Sequence, residues 1–179
     1  MAMGGNYVDE LKEVRSMLFE KFGEFDSAEE INKSAEGLKA EGDTESLLAM
    51  AKENGIDEDD VYDYLDDVVD ELCNPLMAAL GKLQVEADEL KPYEIMNDWI
   101  EYIKARCQER DEIARAVRRK GKSLKGCIAE LLKWSFKNAQ TVDGDITKLA
   151  GIKMSYPVKL GIPGMGRAKQ IITDYYLGK

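Results

Sequence analysis

The chain has 179 residues, of which 44% are hydrophobic and 34% charged, and its formal net charge is −10. This composition fits a folded protein of one domain or two small lobes and excludes a disordered chain. Because the sequence contains no histidine, it also excludes Ser–His catalysis and metal sites built from imidazoles. The longest apolar runs cover only a few residues, so we expect no membrane-spanning helix.

The first residues and the three cysteines indicate the cellular compartment in which we expect the protein. The N-terminal residues lack the basic start and apolar run of a signal peptide. Cys73, Cys107 and Cys127 are odd in number and far apart, a spacing that favours neither a disulfide framework nor a zinc ribbon. We expect a soluble cytoplasmic protein with three reduced, mostly buried cysteines.

Apolar residues spaced three or four apart predict helices through most of the chain. The first predicted helix carries Val8, Leu11, Val14, Leu18 and Phe22 and ends at Gly23. The next three begin at side chains that can cap a helix, namely Ser27, Asp43 and Asp57. The residues expected on the inner face of the fourth helix are Val61, Leu65, Val68 and Leu72.

The second half of the chain predicts further helices and one irregular region. The expected helices, the first opened by the Asn74-Pro75 start signal, cover 75–90, 92–120, 124–136, 145–150 and 166–176. In the helix over 124–136 we expect Leu132 and either Ser135 or Phe136 to face inward. Glycine and proline predict a loop over 141–166, in which the extended stretch 153–162 can form a small β-hairpin.

Charge divides the chain into unequal halves. Residues 1–101 hold 28 acidic and 8 basic side chains, whereas residues 102–179 hold 7 acidic and 17 basic ones. Such a division indicates interaction surfaces rather than a fold. We therefore predict a mainly α, two-lobed protein. Its parts are an acidic helical lobe over 1–73, a connecting helix over 74–91 and a basic helical lobe over 92–179.

The densest acidic segment is the predicted fourth helix. Nine of the fifteen residues over 57–71 are acidic. Like charges three or four residues apart cost an isolated helix a few tenths of a kcal/mol per pair. A sequence that tolerates several such pairs therefore suggests a surface that binds a partner. A row of carboxylates can imitate phosphates and occupy a basic nucleic-acid channel; the alternative is a solvated helix face. The candidate partner-binding residues are Asp57, Asp59, Asp60, Asp63, Asp66, Asp67 and Asp70.

The densest basic segment follows in the second half. Residues 104–137 hold eleven basic and four acidic side chains, and such a cluster suits a phosphate or an acidic partner surface. Two alternatives stay open, since the cluster can pair with the acidic half of its own chain or form a solvated face. The candidate partner- or nucleic-acid-binding residues are Arg115, Arg118, Arg119, Lys120, Lys122 and Lys125.

No nucleophile with a base, carboxylate dyad or metal-ligand set emerges from the pattern. We therefore expect a binding protein rather than an enzyme, with no catalytic residue, metal ligand or cofactor.

Two stretches resemble proteins of mobile genetic elements. The segment Gly121–Gln140 followed by Ile171–Gly178 is similar to the PcfK-like proteins of conjugative plasmids and integrative elements of Gram-positive bacteria. The matching residues are Lys122, Ser123, Gly126 and Cys127 at a helix start and Tyr175 and Tyr176 near the end. The acidic segment 24–65 resembles a helical module of similar elements, and the chain departs from the shorter plasmid proteins by an insertion over Lys148–Arg167.

Several anti-CRISPR proteins resemble this layout, being small, acidic and without an enzyme motif. The resemblance implies an inhibitor that binds a type II RNA-guided effector nuclease with its guide RNA, in a bacterial host cell, and blocks DNA binding or cleavage. Such an effector holds its nucleic acids in a positively charged channel. The alternative expectation is a nucleic-acid-binding accessory protein of a conjugative plasmid or integrative element, which uses the basic helices.

Overall fold

The computed structural model describes residues 18–178. Within this range the chain forms nine helices and one pair of short strands, so the predicted mainly α fold is confirmed. The elements in order are α1 (Ala28–Glu41), α2 (Thr44–Glu53), α3 (Glu58–Leu65), α4 (Pro75–Leu90), α5 (Ile95–Glu109), α6 (Asp111–Arg118), α7 (Leu124–Lys137), β1 (Gln140–Thr141), α8 (Gly144–Leu149), β2 (Lys159–Leu160) and α9 (Met165–Leu177). The helix predicted over 8–22 lies mostly outside the described residues.

The described residues form two compact units, 18–124 and 125–178. The predicted division of the lobes lies earlier, between residues 73 and 92. In the structure, helices α4, α5 and α6 belong to the same unit as the acidic helices, and α4 packs chiefly along α6. Side-chain contacts explain the difference, because buried basic residues of α4 and α6 bond to residues of the acidic part.

Local signals explain where the first helices begin. At four predicted caps, a side-chain oxygen accepts a hydrogen bond from a backbone N–H two or three residues later, which satisfies a group that the helix leaves unpaired. These pairs are Ser27 with Glu30, Asp43 with Ser46, Asp57 with Asp59 and Asn74 with Met77, at 2.9–3.2 Å. The predicted starts of α1 to α4 are thereby confirmed.

Two glycines let α4 approach the acidic helices at backbone distance. A Cβ on Gly81 of α4 would lie 2.4 Å from the carbonyl oxygen of Asn54, and one on Gly55 would lie 2.2 Å from that of Gly81. Because no larger residue fits at either position, α4 packs directly on the link between α2 and α3. The core beside this contact is formed by Ile31, Leu47, Met50, Val61 and Leu72.

The predicted fourth helix is shorter in the structure than expected. Helix α3 ends at Leu65 because Asp67 adopts a left-handed backbone, with φ +59°. The N–H of Val68 then donates to the carbonyl of Asp63 and that of Asp67 to the carbonyl of Tyr64, the pattern of a Schellman stop. Val68, predicted to face inward, is therefore 67% exposed.

The predicted long helix over 92–120 is likewise divided. Arg110 has an extended backbone, with φ −142° and ψ 110°, and it separates α5 from α6. Asp111 and Glu112 form the first turn of α6, where carboxylates are favoured by the helix dipole. These two acidic residues therefore stabilise the start of α6.

In the second unit, the two strands close a long loop. β1 and β2 pair antiparallel, with Gln140 opposite Leu160 and Thr141 opposite Lys159. A strand therefore lies in the stretch predicted for a hairpin, but its partner comes from residues before it. A Cβ on Gly161 would lie 2.2 Å from the carbonyl oxygen of Ser135, so the end of β2 packs tightly against α7.

Candidate functional site

Helix α6, which lies in the basic segment over 104–137, places Arg118 inside the protein. Arg118 is 1% exposed, and its guanidinium donates to the carbonyl of Phe25 at 3.1 Å, to the carbonyl of Ala78 and to the side-chain oxygen of Asn54. Burial lowers its pKa to about 10, since a buried cation loses its hydration. This placement corrects the expectation that Arg118 lies on an exposed binding face.

A second buried cation, Lys82 of α4, lies in the same unit. Its Nζ bonds to the Glu24 carboxylate at 2.6 Å and to the carbonyl oxygen of Arg119 at 3.1 Å. Glu86, one turn further along α4, accepts a hydrogen bond from the backbone N–H of Leu124 at 3.0 Å. Burial raises the pKa of Glu86 to about 7 and lowers that of Lys82. Through these bonds, Lys82 and Glu86 of α4 connect Glu24 in the acidic half with the backbone at Arg119 and Leu124 in the basic half.

Arg115 of α6 and Lys120, which follows that helix, bond to acidic residues at the start of α1 and just before it. Arg115 bonds to Glu29 and to Asp111, both at 2.6 Å. Its guanidinium lowers the pKa of Glu29. Lys120 lies 3.7 Å from Glu30 and its backbone N–H donates to Asp26 at 2.7 Å.

The six candidate basic residues therefore do not form one open face. Arg119 is exposed, whereas Lys122 and Lys125 are half-buried, and Lys125 belongs to the second unit. With Arg118 buried and Arg115 and Lys120 bonded to acidic groups, three of the six candidates are engaged within the chain. This arrangement is the one expected if the basic cluster pairs with the acidic half of its own chain.

The candidate acidic residues lie on α3 and on the turn after it. Asp57, Asp59, Asp63, Asp66, Asp67 and Asp70 are exposed, and Asp60 is half-buried. Asp66, Asp67 and Asp70 follow the end of α3, so the row of carboxylates is a helix and a turn, not the single helical face expected. Lys39 bonds to Asp67 and to the carbonyl oxygen of Tyr64, both at 2.6 Å, and so holds the turn in place.

Most of this acidic surface has no cationic neighbour. Among the described residues, the only ion pair made by the seven candidates is that of Asp67 with Lys39. Burial and the charges of Asp57, Asp63 and Asp59 raise the pKa of Asp60. The carboxylates therefore repel one another and leave a strongly negative surface open to a partner.

A groove lined by both apolar and acidic side chains opens at these carboxylates. It has a volume of about 260 Å³. Its lining includes the apolar residues Val69, Leu72 and Met77 and the acidic residues Asp60, Asp63 and Glu71. A ligand for this groove would combine an apolar group with a positive charge.

The remaining chemistry-bearing groups are buried or dispersed. Cys73, Cys107 and Cys127 are buried and form no disulfide, as expected, and burial raises the pKa of Cys73 and Cys107 to about 12. Within residues 18–178, no three Cys, Asp or Glu side chains are arranged to hold a metal ion. Over the same range, no helix has the length and apolar character needed to cross a bilayer.

One surface was missed by reasoning from the sequence. Leu132 of α7, expected to face inward, is exposed, and of the two alternatives Ser135 is half-buried whereas Phe136 is 80% exposed. Leu132 and Phe136 lie one turn apart, a spacing that also suits a buried face, so the pattern alone could not decide. The predicted loop over 141–166 is rich in leucine, isoleucine and methionine. This composition was the available signal for an exposed apolar surface.

Comparisons of the chain with protein-family models, curated protein sequences and solved structures found no match.

Proposed function

We propose that the protein is a binding protein that inhibits a type II RNA-guided effector nuclease by placing its acidic surface in the nuclease's nucleic-acid channel. The acidic surface is formed by the seven aspartates between Asp57 and Asp70. The observation that carries the proposal is that six of these carboxylates are exposed, with Asp60 half-buried, and that all but Asp67 make no ion pair among the described residues.

Physical chemistry supports this use of the surface. A guide-loaded effector surrounds its nucleic acids with positive charge, and a surface whose carboxylates repel one another gains from meeting such a channel. The identity of the partner rests on the resemblance to PcfK-like and anti-CRISPR proteins alone. On that basis the protein acts in the cytoplasm of a bacterial host that carries a mobile genetic element.

The alternative is a nucleic-acid-binding accessory protein of a conjugative plasmid or integrative element. It requires phosphate contacts from the basic residues. Because Arg118 is buried and Arg115 and Lys120 bond to acidic groups, fewer cations are available than the sequence suggests. The geometry therefore favours the acidic surface as the one that meets a partner.

The proposal is tested by target-DNA cleavage with a purified guide-loaded type II effector, in the presence and absence of the full chain. We expect inhibition that weakens as salt is added, since screening acts on exposed charges. The triple variant D59N/D63N/D66N should need about tenfold more protein for the same inhibition, a change that corresponds to roughly 1.4 kcal/mol of binding.

The matched control is E36Q/E41Q/E45Q, which neutralises three exposed carboxylates on α1 and α2 and changes the net charge equally. Equal loss of inhibition in both triple variants would show a general charge effect and contradict the specific surface. Unchanged cleavage together with a mobility shift of free DNA would instead support the accessory-protein alternative.

A further inference from the structure

The second unit carries an exposed apolar arm. Ten large apolar side chains between Leu132 and Met165 are exposed by 42–90%. Five of them lie in the segment 142–158, which we call the arm and whose two ends are joined by a hydrogen bond from the N–H of Val142 to the carbonyl of Val158. These five are Ile146, Leu149, Ile152, Met154 and Tyr156.

The arm buries almost nothing of its own. Helix α8 within it has six residues and none of them is buried. So short a helix is marginal in water without packing, and monomeric proteins rarely expose large contiguous apolar surface. The arm therefore has the properties of a segment that packs against another molecule.

The charges near the arm are positive. Residues 125–179 hold nine basic and four acidic side chains. Of the acids in the arm, Asp143 caps α8 and Asp145 pairs with Lys148 at 3.0 Å. Among the described residues, no ion pair involves Lys153 or Lys159, which lie in sequence beside exposed apolar residues. The surface that fits this arm is apolar and acidic.

The groove of the first unit has that chemistry. Val69, Leu72 and Met77 line it together with Asp60, Asp63 and Glu71. Residues 1–124 carry 31 acidic and 16 basic side chains, so the attraction for a basic arm extends beyond the groove.

We propose that the arm of one copy of this chain docks in the acidic groove of a second copy. Arm-to-arm pairing would bring Lys153 and Lys159 of both copies together, whereas arm-to-groove pairing brings opposite charges together. A single arm-to-groove contact leaves a free groove on one copy and a free arm on the other, so association continues until the copies close a ring, of which a reciprocal dimer is the smallest.

The test is the molar mass of the full chain in solution, by light scattering after size exclusion, from micromolar to submillimolar concentrations. We expect the mass to rise from the 20.1 kDa of one chain to that of two or more chains as the concentration increases. The arm variant L149D/I152D and the groove variant D63K/E71K should each remain at the mass of one chain. The control E36K/E41K, on exposed residues of α1, should associate normally.

Mixing the two defective variants gives the decisive result. The intact arm of the groove variant should dock in the intact groove of the arm variant, so the mixture should form one-to-one pairs and nothing larger. A wild-type chain that stays at one-chain mass, or a mixture that forms no pairs, would overturn the proposal. Dimers that persist in the groove variant would also overturn it, because they would show arm-to-arm pairing.

Asp60 and Asp63 belong to both proposed binding surfaces, but the two proposals have separate readouts. Cleavage inhibition is read with the nuclease present, whereas association is read with this protein alone. A chain that inhibits but stays monomeric would contradict only the self-association, and a chain that associates without inhibiting would contradict only the proposed function.

Discussion

Arg118 donates a hydrogen bond to the side-chain oxygen of Asn54 and so joins helix α6 to the residue that ends helix α2. Both residues are buried. Exchange of Arg118 for methionine would leave the side-chain oxygen of Asn54 and the carbonyl of Phe25 without this donor and would remove the additional bond to the carbonyl of Ala78. Because each buried acceptor left unpaired costs about 1–3 kcal/mol, we expect R118M to lower the free energy of unfolding by about 2–4 kcal/mol.

Urea unfolding measures this change, and the adjacent residue supplies the control. Arg119 is exposed, so R119M should change the free energy of unfolding by less than about 0.5 kcal/mol. Equal effects of R118M and R119M would contradict the buried role of Arg118. A strong effect of R118M alone would also explain why the acidic and basic segments fold as one unit.

Glu86 should make stability depend on pH. Burial raises its pKa to about 7 from the ordinary value of 4.5, so between these values the native state holds the proton more tightly than the unfolded chain. The contribution of Glu86 is therefore fully present below about pH 4.5 and is lost as the pH rises through about 7. The loss is at most about 3 kcal/mol.

The measurement is denaturant unfolding of the wild type and E86Q from about pH 5 to about pH 8. Glutamine keeps an oxygen that can accept from the Leu124 N–H and removes the titration. The difference in free energy of unfolding between the wild type and E86Q should change across this range. The corresponding difference between the wild type and the exposed control E36Q should stay constant. Parallel profiles for the wild type and E86Q would contradict the raised pKa.

The turn after α3 predicts a contrast between two substitutions of Asp67. Its backbone has φ +59°, which glycine adopts without strain and valine does not. The Asp67 carboxylate is largely exposed, so its ion pair with Lys39 contributes little. We expect D67G to be unchanged or up to about 1 kcal/mol more stable, and D67V to be about 1–2 kcal/mol less stable. Thermal unfolding compares them, and equal melting temperatures for both would contradict the left-handed turn.

The parts of the fold that local signals determine were predictable from the sequence. The caps at Ser27, Asp43 and Asn74 depend on residues a few positions apart, and the structure has the helices that they predict. The end of α3 and the break at Arg110 were not predictable, because apolar spacing continues through both. Neither was the burial of Arg118, since its partners come from distant parts of the sequence.

The candidate surfaces were predictable only in part, for the same reason. The density of carboxylates over 57–71 is visible in the sequence, but the turn at Asp67 that divides them is a backbone property. The exposure of Phe136 depends on which parts of the chain pack against α7, and no local sequence pattern contains that information. Charge counts likewise cannot distinguish an open basic residue from Arg115, whose partner Glu29 belongs to another helix.

The contact between Gly81 and the link after α2 gives the sharpest stability prediction. Alanine is normally a better helix residue than glycine by about 0.5–1 kcal/mol. At Gly37 of α1 nothing lies within 4 Å of an added Cβ, so G37A should be more stable by about that amount. At Gly81 an added Cβ would lie 2.4 Å from the Asn54 carbonyl oxygen and within 3.0 Å of Gly55.

Backbone cannot move aside as a flexible side chain can, so the same substitution should have opposite signs at the two glycines. We expect G81A to lower the free energy of unfolding by about 1–3 kcal/mol or more, the cost of overpacking a core. Urea unfolding of G37A and G81A, measured in parallel, tests both signs. If G81A and G37A both unfold at a higher urea concentration than the wild type, α4 does not pack at backbone distance on the link between α2 and α3. If G81A alone is destabilised, that contact is what holds α4, with Lys82 and Glu86, against the acidic helices.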